Sequence, residues 1–206
     1  MEERLRLSRQ STAAEVDPTQ YRRLVGSLRY LVHTRPDLAF SVGFVSRFME
    51  RPTAEHQAAI KRILRYVAST LEFGLQYTKG PGRARFVGYC DSDLAGDIDT
   101  SKSTSGTLFF LGSNLVCWQS VKQKVVALSS CEAEYIATTT AATQAIWLSR
   151  LLADLLGRNV EVVELKVDSK SALALAKNPV FHERSKHIRI KYHFIRKLLG
   201  RWKYQG

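Results

Sequence analysis

The chain has 206 residues, 45% of them hydrophobic, and a formal net charge of +12 at pH 7. This length and apolar content allow one sizeable core or two small ones, and no apolar run approaches the ~18 residues of a membrane-spanning helix. The excess of positive charge favours a polyanionic partner, nucleic acid before an anionic membrane surface.

Residues 1–17 are predicted to be a disordered tail, and they lack the apolar core of a signal peptide. We therefore expect an intracellular protein, cytoplasmic or nuclear. Over residues 18–78 the apolar side chains recur at helical spacing in three stretches, which predicts a small three-helix unit. Three cations lie off the apolar stripe of the third helix, on a face that could contact a nucleic-acid backbone: Lys61, Arg62 and Arg65.

Residues 79–83, Lys-Gly-Pro-Gly-Arg, give the clearest break signal in the chain and are predicted to be a linker. Beyond them the apolar period changes from helical to strand-like, so residues 84–206 are predicted to form a second, α/β domain. Gly112-Ser113-Asn114 is a hairpin signal between two of its strands. The predicted strands are 85–90, 106–111 and 115–119, with 124–128 as a candidate continuation of the sheet.

A Ser-x-x-Glu capping box, Ser129 and Glu132, predicts that a long helix begins there, and Gly157 predicts its end. Glu132 has a sufficient structural task in the cap. Glu134 has none and should project toward the strand ends, so it is the better candidate for a catalytic role. The elements predicted after this helix are a strand over 160–167, a short helix over 171–176, a longer helix over 186–199 and a last strand over 202–205.

Three acids, Asp91, Glu134 and Asp168, follow the order strand, helix, strand. Carboxylates at two strand ends and on an adjoining helix can converge on one point. Phosphodiester hydrolysis is served by two Mg²⁺ ions about 3.5 to 4 Å apart, and such hard ions prefer carboxylate oxygens. Taken alone, three acids out of 19 are a weak signal.

The amino-acid sequence of the surrounding segments is a more specific signal than the three acids. Over about residues 18–205 the chain resembles the C-terminal part of a copia-type LTR retrotransposon polyprotein. The segments that carry this resemblance are Tyr21-Arg-Arg-Leu-Val-Gly-Ser-Leu-Arg-Tyr-Leu, Thr34-Arg-Pro-Asp, Ser46-Arg-Phe-Met, Lys61-Arg-Ile-Leu-Arg-Tyr, Ser103-Thr-Ser-Gly, Ser129-Ser-Cys-Glu-Ala-Glu-Tyr-Ile-Ala, Asn178-Pro-Val-Phe-His and Lys186-His-Ile-Arg-Ile-Lys-Tyr-His-Phe-Ile-Arg.

By this resemblance, residues 18–78 are similar to the thumb or connection region that follows a reverse transcriptase, and residues 84–206 to its ribonuclease H domain. The family fold is α/β, a mixed five-stranded sheet with flanking helices. The family activity is Mg²⁺-dependent cleavage of the RNA strand in an RNA/DNA hybrid. The resemblance implies that Asp91, Glu134 and Asp168 are the catalytic, metal-binding acids, with Mg²⁺ as cofactor or Mn²⁺ in its place.

Two departures from the family pattern change this expectation. The polymerase signature Tyr-x-Asp-Asp is absent, so we do not expect a reverse transcriptase. The family completes its site with a fourth Asp, and we expect the domain to be truncated before the last helix that would carry it. Arg189 also stands where the family segment His-Ile-Asp-Ile has its Asp. We therefore expect metal binding with weak or no cleavage.

His182 is a weaker candidate for a catalytic proton shuttle. Further basic residues are candidates for nucleic-acid contact in the second domain: Lys102, Lys122, Lys124, Arg184, Lys186 and Arg189. Two alternatives stay open. The chain could be a non-catalytic, domesticated transposon module that binds nucleic acid, or a module that binds a protein partner through the helices of residues 21–71.

Overall fold

The computed structural model describes residues 5–80, 85–157 and 163–177. The chain divides into two compact units, residues 1–76 together with 98–100, and residues 77–97 together with 101–206. Each unit has an apolar core of its own. Within the described ranges, no helix combines the length and the hydropathy that crossing a bilayer requires.

The first unit is built from three helices, α1 (Pro18–Leu31), α2 (Ala39–Val45) and α3 (Ala54–Ser69), with 3₁₀ turns at Pro36–Leu38 and Ser46–Phe48. Asp17 caps the start of α1 by accepting from the Thr19 N–H. The apolar stripes of the helices meet in a core that includes Tyr21, Val25, Val45 and Ile60. The predicted three-helix unit is therefore confirmed.

Residues 5–17 differ from the disordered tail that the sequence predicted. Leu7 is buried in the core of the first unit, and Leu5 and Val16 pack against the same core. The backbone is fixed as well, since the Val16 N–H donates to the Pro52 carbonyl over 3.1 Å. A few scattered apolar residues show no period, so no pattern in residues 5–17 indicated this packing.

The second unit contains a sheet of four described strands: β1 (Phe86–Ser92), β2 (Thr104–Leu111), β3 (Asn114–Lys122) and β4 (Glu164–Val167). Their spatial order is β3-β2-β1-β4. β2 is antiparallel to both β1 and β3, whereas β4 is parallel to β1. The predicted α/β class with a mixed sheet is thus confirmed. The fifth strand predicted over 202–205 and the helix predicted over 186–199 lie outside the described residues.

Two helices flank this sheet, α4 (Ser130–Leu156) and α5 (Lys170–Lys177). The hydroxyl of Ser129 accepts from the Glu132 N–H at the start of α4, and the helix ends at Gly157, whose φ of 61° is left-handed. Small side chains at every fourth position bring α4 close to the sheet, and all are almost fully buried: Ala133, Ala137, Ala141 and Ala145. This close packing places the start of α4 beside the end of β1.

Three local predictions differ from the structure. β1 continues two residues beyond Cys90, because residues 91 and 92 still pair with β2. Residues 124–128 are not a strand, so they do not continue the sheet as the sequence suggested. The apolar stripe predicted on α4 is only half buried, since Leu151 and Leu155 are exposed.

Candidate metal centre

Three carboxylates meet at one edge of the sheet. Cys90 on β1 pairs in parallel register with Val167 on β4, so the residues that follow them, Asp91 and Asp168, lie at the same end of the sheet. Glu134 reaches this end from the start of α4. One oxygen from each of the three carboxylates lies within 4.8 Å of the other two. The structure therefore brings together the three acids that the sequence singled out.

Ser92 ties two of these carboxylates to the backbone of β1. Its N–H lies 2.7 Å from Oδ1 of Asp91 and 3.1 Å from Oε1 of Glu134. The other oxygen of Glu134, Oε2, is shielded from solvent and has no hydrogen-bond partner among the described residues. A buried acceptor without a donor is unfavourable. A cation bound at this oxygen would remove that cost.

The electrostatics of the cluster favour a cation. The pKa of Glu134 is raised to about 7, chiefly by burial and also by the charges of Asp91 and Asp168, against the lowering effect of the Ser92 N–H. The carboxylates thus repel one another when all three are ionised. A divalent cation would remove this repulsion.

The donor set and its spacing suit a hard cation. All three donors are carboxylate oxygens, the ligands that Mg²⁺ and Mn²⁺ prefer. Two oxygens that bind one Mg²⁺ at about 2.1 Å lie about 3.0 Å apart in adjacent positions and about 4.2 Å apart in opposite positions, so the carboxylates would draw closer than 4.8 Å as the ion binds. The side chains of Asp91 and Asp168 are exposed, and their rotation would allow this approach.

The other acids close to the cluster have structural partners. Oδ1 of Asp93 accepts from the Thr104 N–H over 2.6 Å, and Asp97 forms an ion pair with Lys122 at 2.9 Å. Oε2 of Glu132 accepts from the Leu128 N–H over 2.8 Å, next to the helix cap. The contact of Glu132 agrees with the structural task that the sequence indicated for it in the helix cap.

Cys90 lies behind the cluster as an unreactive thiol. Its Sγ donates to the Thr138 hydroxyl over 3.6 Å, and burial raises the pKa of the thiol to about 12. The thiolate, which is the nucleophilic and metal-binding form of cysteine, is therefore not formed near neutral pH.

The basic residues selected from the sequence fall into three groups. Lys61, Arg62 and Arg65 are exposed on α3 in the first unit. In the second unit, Lys124 is exposed and Lys102 partly exposed, whereas Lys122 is engaged with Asp97. The remaining predicted site residues lie outside the described residues: His182, Arg184, Lys186 and Arg189.

Two residues beside the cluster were missed by sequence reasoning. Ser92 follows Asp91 directly, and no sequence pattern singled it out. Gln123 lies between β3 and α4 and carries no motif, yet its side chain contacts the backbone of Ala133, the residue before Glu134. No sequence signal indicates this second contact, because it depends on how α4 packs on the sheet.

No protein-family model matches the chain. Over 191 residues, 93% of its length, it is 44% identical to the Retrovirus-related Pol polyprotein from transposon RE1 of Arabidopsis thaliana. Over 180 residues, 87% of its length, it is 47% identical to the Retrovirus-related Pol polyprotein from transposon TNT 1-94 of Nicotiana tabacum. The chain belongs to the copia-type retrovirus-related Pol polyproteins.

The chain spans 13% of the length of each of these two Pol polyproteins. Its second unit has a mixed sheet with flanking helices, as the resemblance to a ribonuclease H domain predicted. The crystal structure of LC11-RNase H1 in complex with RNA/DNA hybrid matches 59% of this chain and 83% of that chain, with a TM-score of 0.39 and 16% identity.

Proposed function

We propose that the ribonuclease H-like unit of this Pol-type chain binds RNA/DNA hybrid and slowly cleaves its RNA strand with the help of a divalent cation. The observation that carries the proposal is the convergence of Asp91, Glu134 and Asp168 within 4.8 Å. When bound, such a cation lowers the pKa of a water molecule and stabilises the negative charge that develops on phosphate oxygens. The three carboxylates would hold it, with Mg²⁺ as the first candidate and Mn²⁺ as the second.

Cleavage is expected to be slow because of Arg189. This residue, which lies outside the described residues, occupies the position of an Asp in the resembling family segment. A cation in place of a carboxylate weakens the binding of a second metal ion. The three acids that remain can still bind the first.

Exposed cations are proposed to bind the phosphate backbone. In the ribonuclease H-like unit they are Lys124 and the partly exposed Lys102, and in the first unit Lys61, Arg62 and Arg65. Lys122 is left out of the proposed interface, because its ion pair with the buried Asp97 occupies its charge. With a net charge of +12, binding should weaken steeply as salt is added.

The test is an assay with a labelled RNA/DNA duplex in Mg²⁺ or Mn²⁺, beside DNA/DNA and RNA/RNA duplexes. We expect cleavage of the RNA strand of the hybrid alone, and none after Asp91→Asn or with EDTA. Asp154→Asn is the matched control, because Asp154 is an exposed acid 20 residues beyond Glu134 on the same helix, about 30 Å away.

The outcomes separate the proposed activity from the alternative. Salt-sensitive binding of the hybrid without cleavage would favour the non-catalytic nucleic-acid module. No binding of any duplex at low ionic strength would overturn the proposed function altogether.

A further inference from the structure

The side chain of Gln123 links the start of α4 to the sheet. Gln123 lies one residue after β3, is 5% exposed, and donates through Nε2 to the Ser105 hydroxyl over 3.0 Å and to the Ala133 carbonyl over 2.9 Å. A carbonyl oxygen can only accept, so the amide nitrogen must be the atom that faces Ala133. The helix residue held in this way directly precedes Glu134.

Strands β1 and β2 hold Glu134 through two separate contacts. Ser105 on β2 pairs with Ser92 on β1, and the Ser92 N–H donates to the Glu134 carboxylate. Ser105 also accepts from Gln123, which holds the helix backbone at Ala133. One contact therefore fixes the side chain of Glu134, and the other fixes the backbone from which that side chain projects.

Stability alone does not explain a glutamine at this position. The Oε1 atom of Gln123 is buried and has no hydrogen-bond partner among the described residues. Burying a polar atom without a partner is unfavourable, and an apolar side chain of similar length would avoid this loss. The two hydrogen bonds of Nε2 are what an apolar side chain cannot reproduce.

The carboxylate cluster needs such a contact. The charges of Asp91 and Asp168 act against ionised Glu134 and push it away from them. The Ser92 contact acts on a side chain that can rotate, whereas the Gln123 contact acts on the helix backbone, which cannot move without breaking it.

We propose that Gln123 is a positioning residue, which holds the backbone of α4 at Ala133 so that Glu134 reaches the same cation as Asp91 and Asp168. This inference rests on the cation site proposed above. Gln123 itself touches neither the cation nor the nucleic acid. Groups that orient metal ligands in this way commonly change metal affinity by roughly 10-fold to 100-fold when they are removed.

The test compares Gln123→Met with Gln144→Met in calorimetric titrations of the full chain with Mn²⁺. Gln144 is the matched control, because it donates to Sγ of Cys117 over 3.5 Å from the same helix, ten residues and about 15 Å beyond Glu134. We expect Gln123→Met to weaken Mn²⁺ binding about 10-fold or more and Gln144→Met to leave it within about two-fold. Unfolding temperatures measured in parallel show that each variant is folded during the titration.

Ser105→Ala supplies an independent variant, which removes the anchor of Gln123 on β2. We expect it to weaken Mn²⁺ binding too, and we expect the double variant to be little worse than Gln123→Met, because the two residues act in one chain of contacts. If Gln123→Met fails to fold, Ser105→Ala decides the question. Wild-type Mn²⁺ affinity in a folded Gln123→Met or Ser105→Ala variant would overturn the inference.

A wild-type chain that binds no Mn²⁺ would overturn both the proposed cation site and this inference. That outcome differs from the failure of the inference alone, in which the wild type and the variants bind equally well.

Discussion

The Ser92 N–H donates to the carboxylate of Glu134 over 3.1 Å, and this contact joins the end of β1 to the start of α4. The contact alone does not settle the charge of Glu134. Burial, followed by the charges of Asp91 and Asp168, outweighs it and raises the pKa of Glu134 to about 7. Near neutral pH the metal-free cluster is therefore close to the point where it gains its third negative charge.

This raised pKa predicts a pH-dependent effect of Glu134→Gln on stability. Between about pH 4.5 and 7, folded Glu134 keeps a proton that the unfolded chain releases, so the free energy of unfolding falls as pH rises through this window. The loss is about 1–2 kcal/mol by pH 8, after allowance for solvent screening of a partly exposed group. In EDTA, the unfolding temperature of Glu134→Gln should rise relative to that of the wild type between pH 5 and pH 8. A difference that stays constant over this range would contradict the raised pKa.

Gly88 is predicted to be essential for the packing of the sheet. A Cβ at this position would lie 2.5 Å from Cε1 of Phe109 and 2.9 Å from Cδ1 of Leu165, two fully buried side chains. Gly88→Ala should therefore lower the free energy of unfolding by about 1–3 kcal/mol. Gly106→Ala is the matched control in the neighbouring strand, because its Cβ would meet nothing within 4 Å. Urea unfolding followed by tryptophan fluorescence tests this, since Trp118 and Trp147 lie in the same unit; equal effects of the two variants would contradict the close packing.

Lys122 is predicted to act on stability rather than on nucleic-acid binding. Its Nζ lies 2.9 Å from Oδ2 of Asp97, whose side chain is only 7% exposed. Lys122→Met removes the counter-charge of a buried carboxylate and should lower the free energy of unfolding by about 2–3 kcal/mol. The double variant with Asp97→Asn should regain most of this loss. Lys124→Met, at an exposed position, should leave stability unchanged and weaken hybrid binding. The reverse pattern in unfolding and binding assays would contradict both assignments.

Arg35 is predicted to hold the first unit together. Its guanidinium donates to both carboxylate oxygens of Asp37, at 3.0 and 2.7 Å, and to the carbonyl and hydroxyl of Thr70, at 3.0 and 2.8 Å. The rings of Tyr66 and Phe73 each lie 5.8 Å from its Cζ. A lysine cannot reproduce this planar set of donors, so Arg35→Lys should lower the free energy of unfolding by about 2–3 kcal/mol. Arg23→Lys is the control at an exposed position, and it should leave the free energy of unfolding unchanged. Urea unfolding followed by far-ultraviolet circular dichroism compares them; equal stability would contradict this role of Arg35.

The elements that sequence predicted well are those set by local chemistry. The capping box at Ser129 predicted the start of α4, and Gly157 predicted its end. Gly112, with a φ of 63°, lies in the predicted hairpin turn between β2 and β3. The order of the three acids predicted that they could converge, because parallel pairing of β1 with β4 brings two strand ends together.

The features that sequence did not predict depend on packing between distant segments. On α4, Leu148 and Leu152 are buried whereas Leu151 and Leu155 are exposed, and only the position of the sheet decides which face is covered. The contact of Gln123 with Ala133 has the same origin. Predictions that fall on residues 178–206, which include the candidate His182, lie outside the described residues.

The most direct test is whether Asp91, Glu134 and Asp168 share one divalent cation. The free energy of unfolding of the metal-free protein is measured at increasing Mg²⁺ concentrations. Asp168→Asn is compared with the control Asp154→Asn, because Asp154 is an exposed acid far along α4. We expect Mg²⁺ to stabilise the wild type and Asp154→Asn saturably, by about 2.7 kcal/mol when Mg²⁺ exceeds its Kd 100-fold, and we expect this stabilisation to be lost in Asp168→Asn. No stabilisation by Mg²⁺ or Mn²⁺, or equal stabilisation of Asp168→Asn, would contradict this expectation.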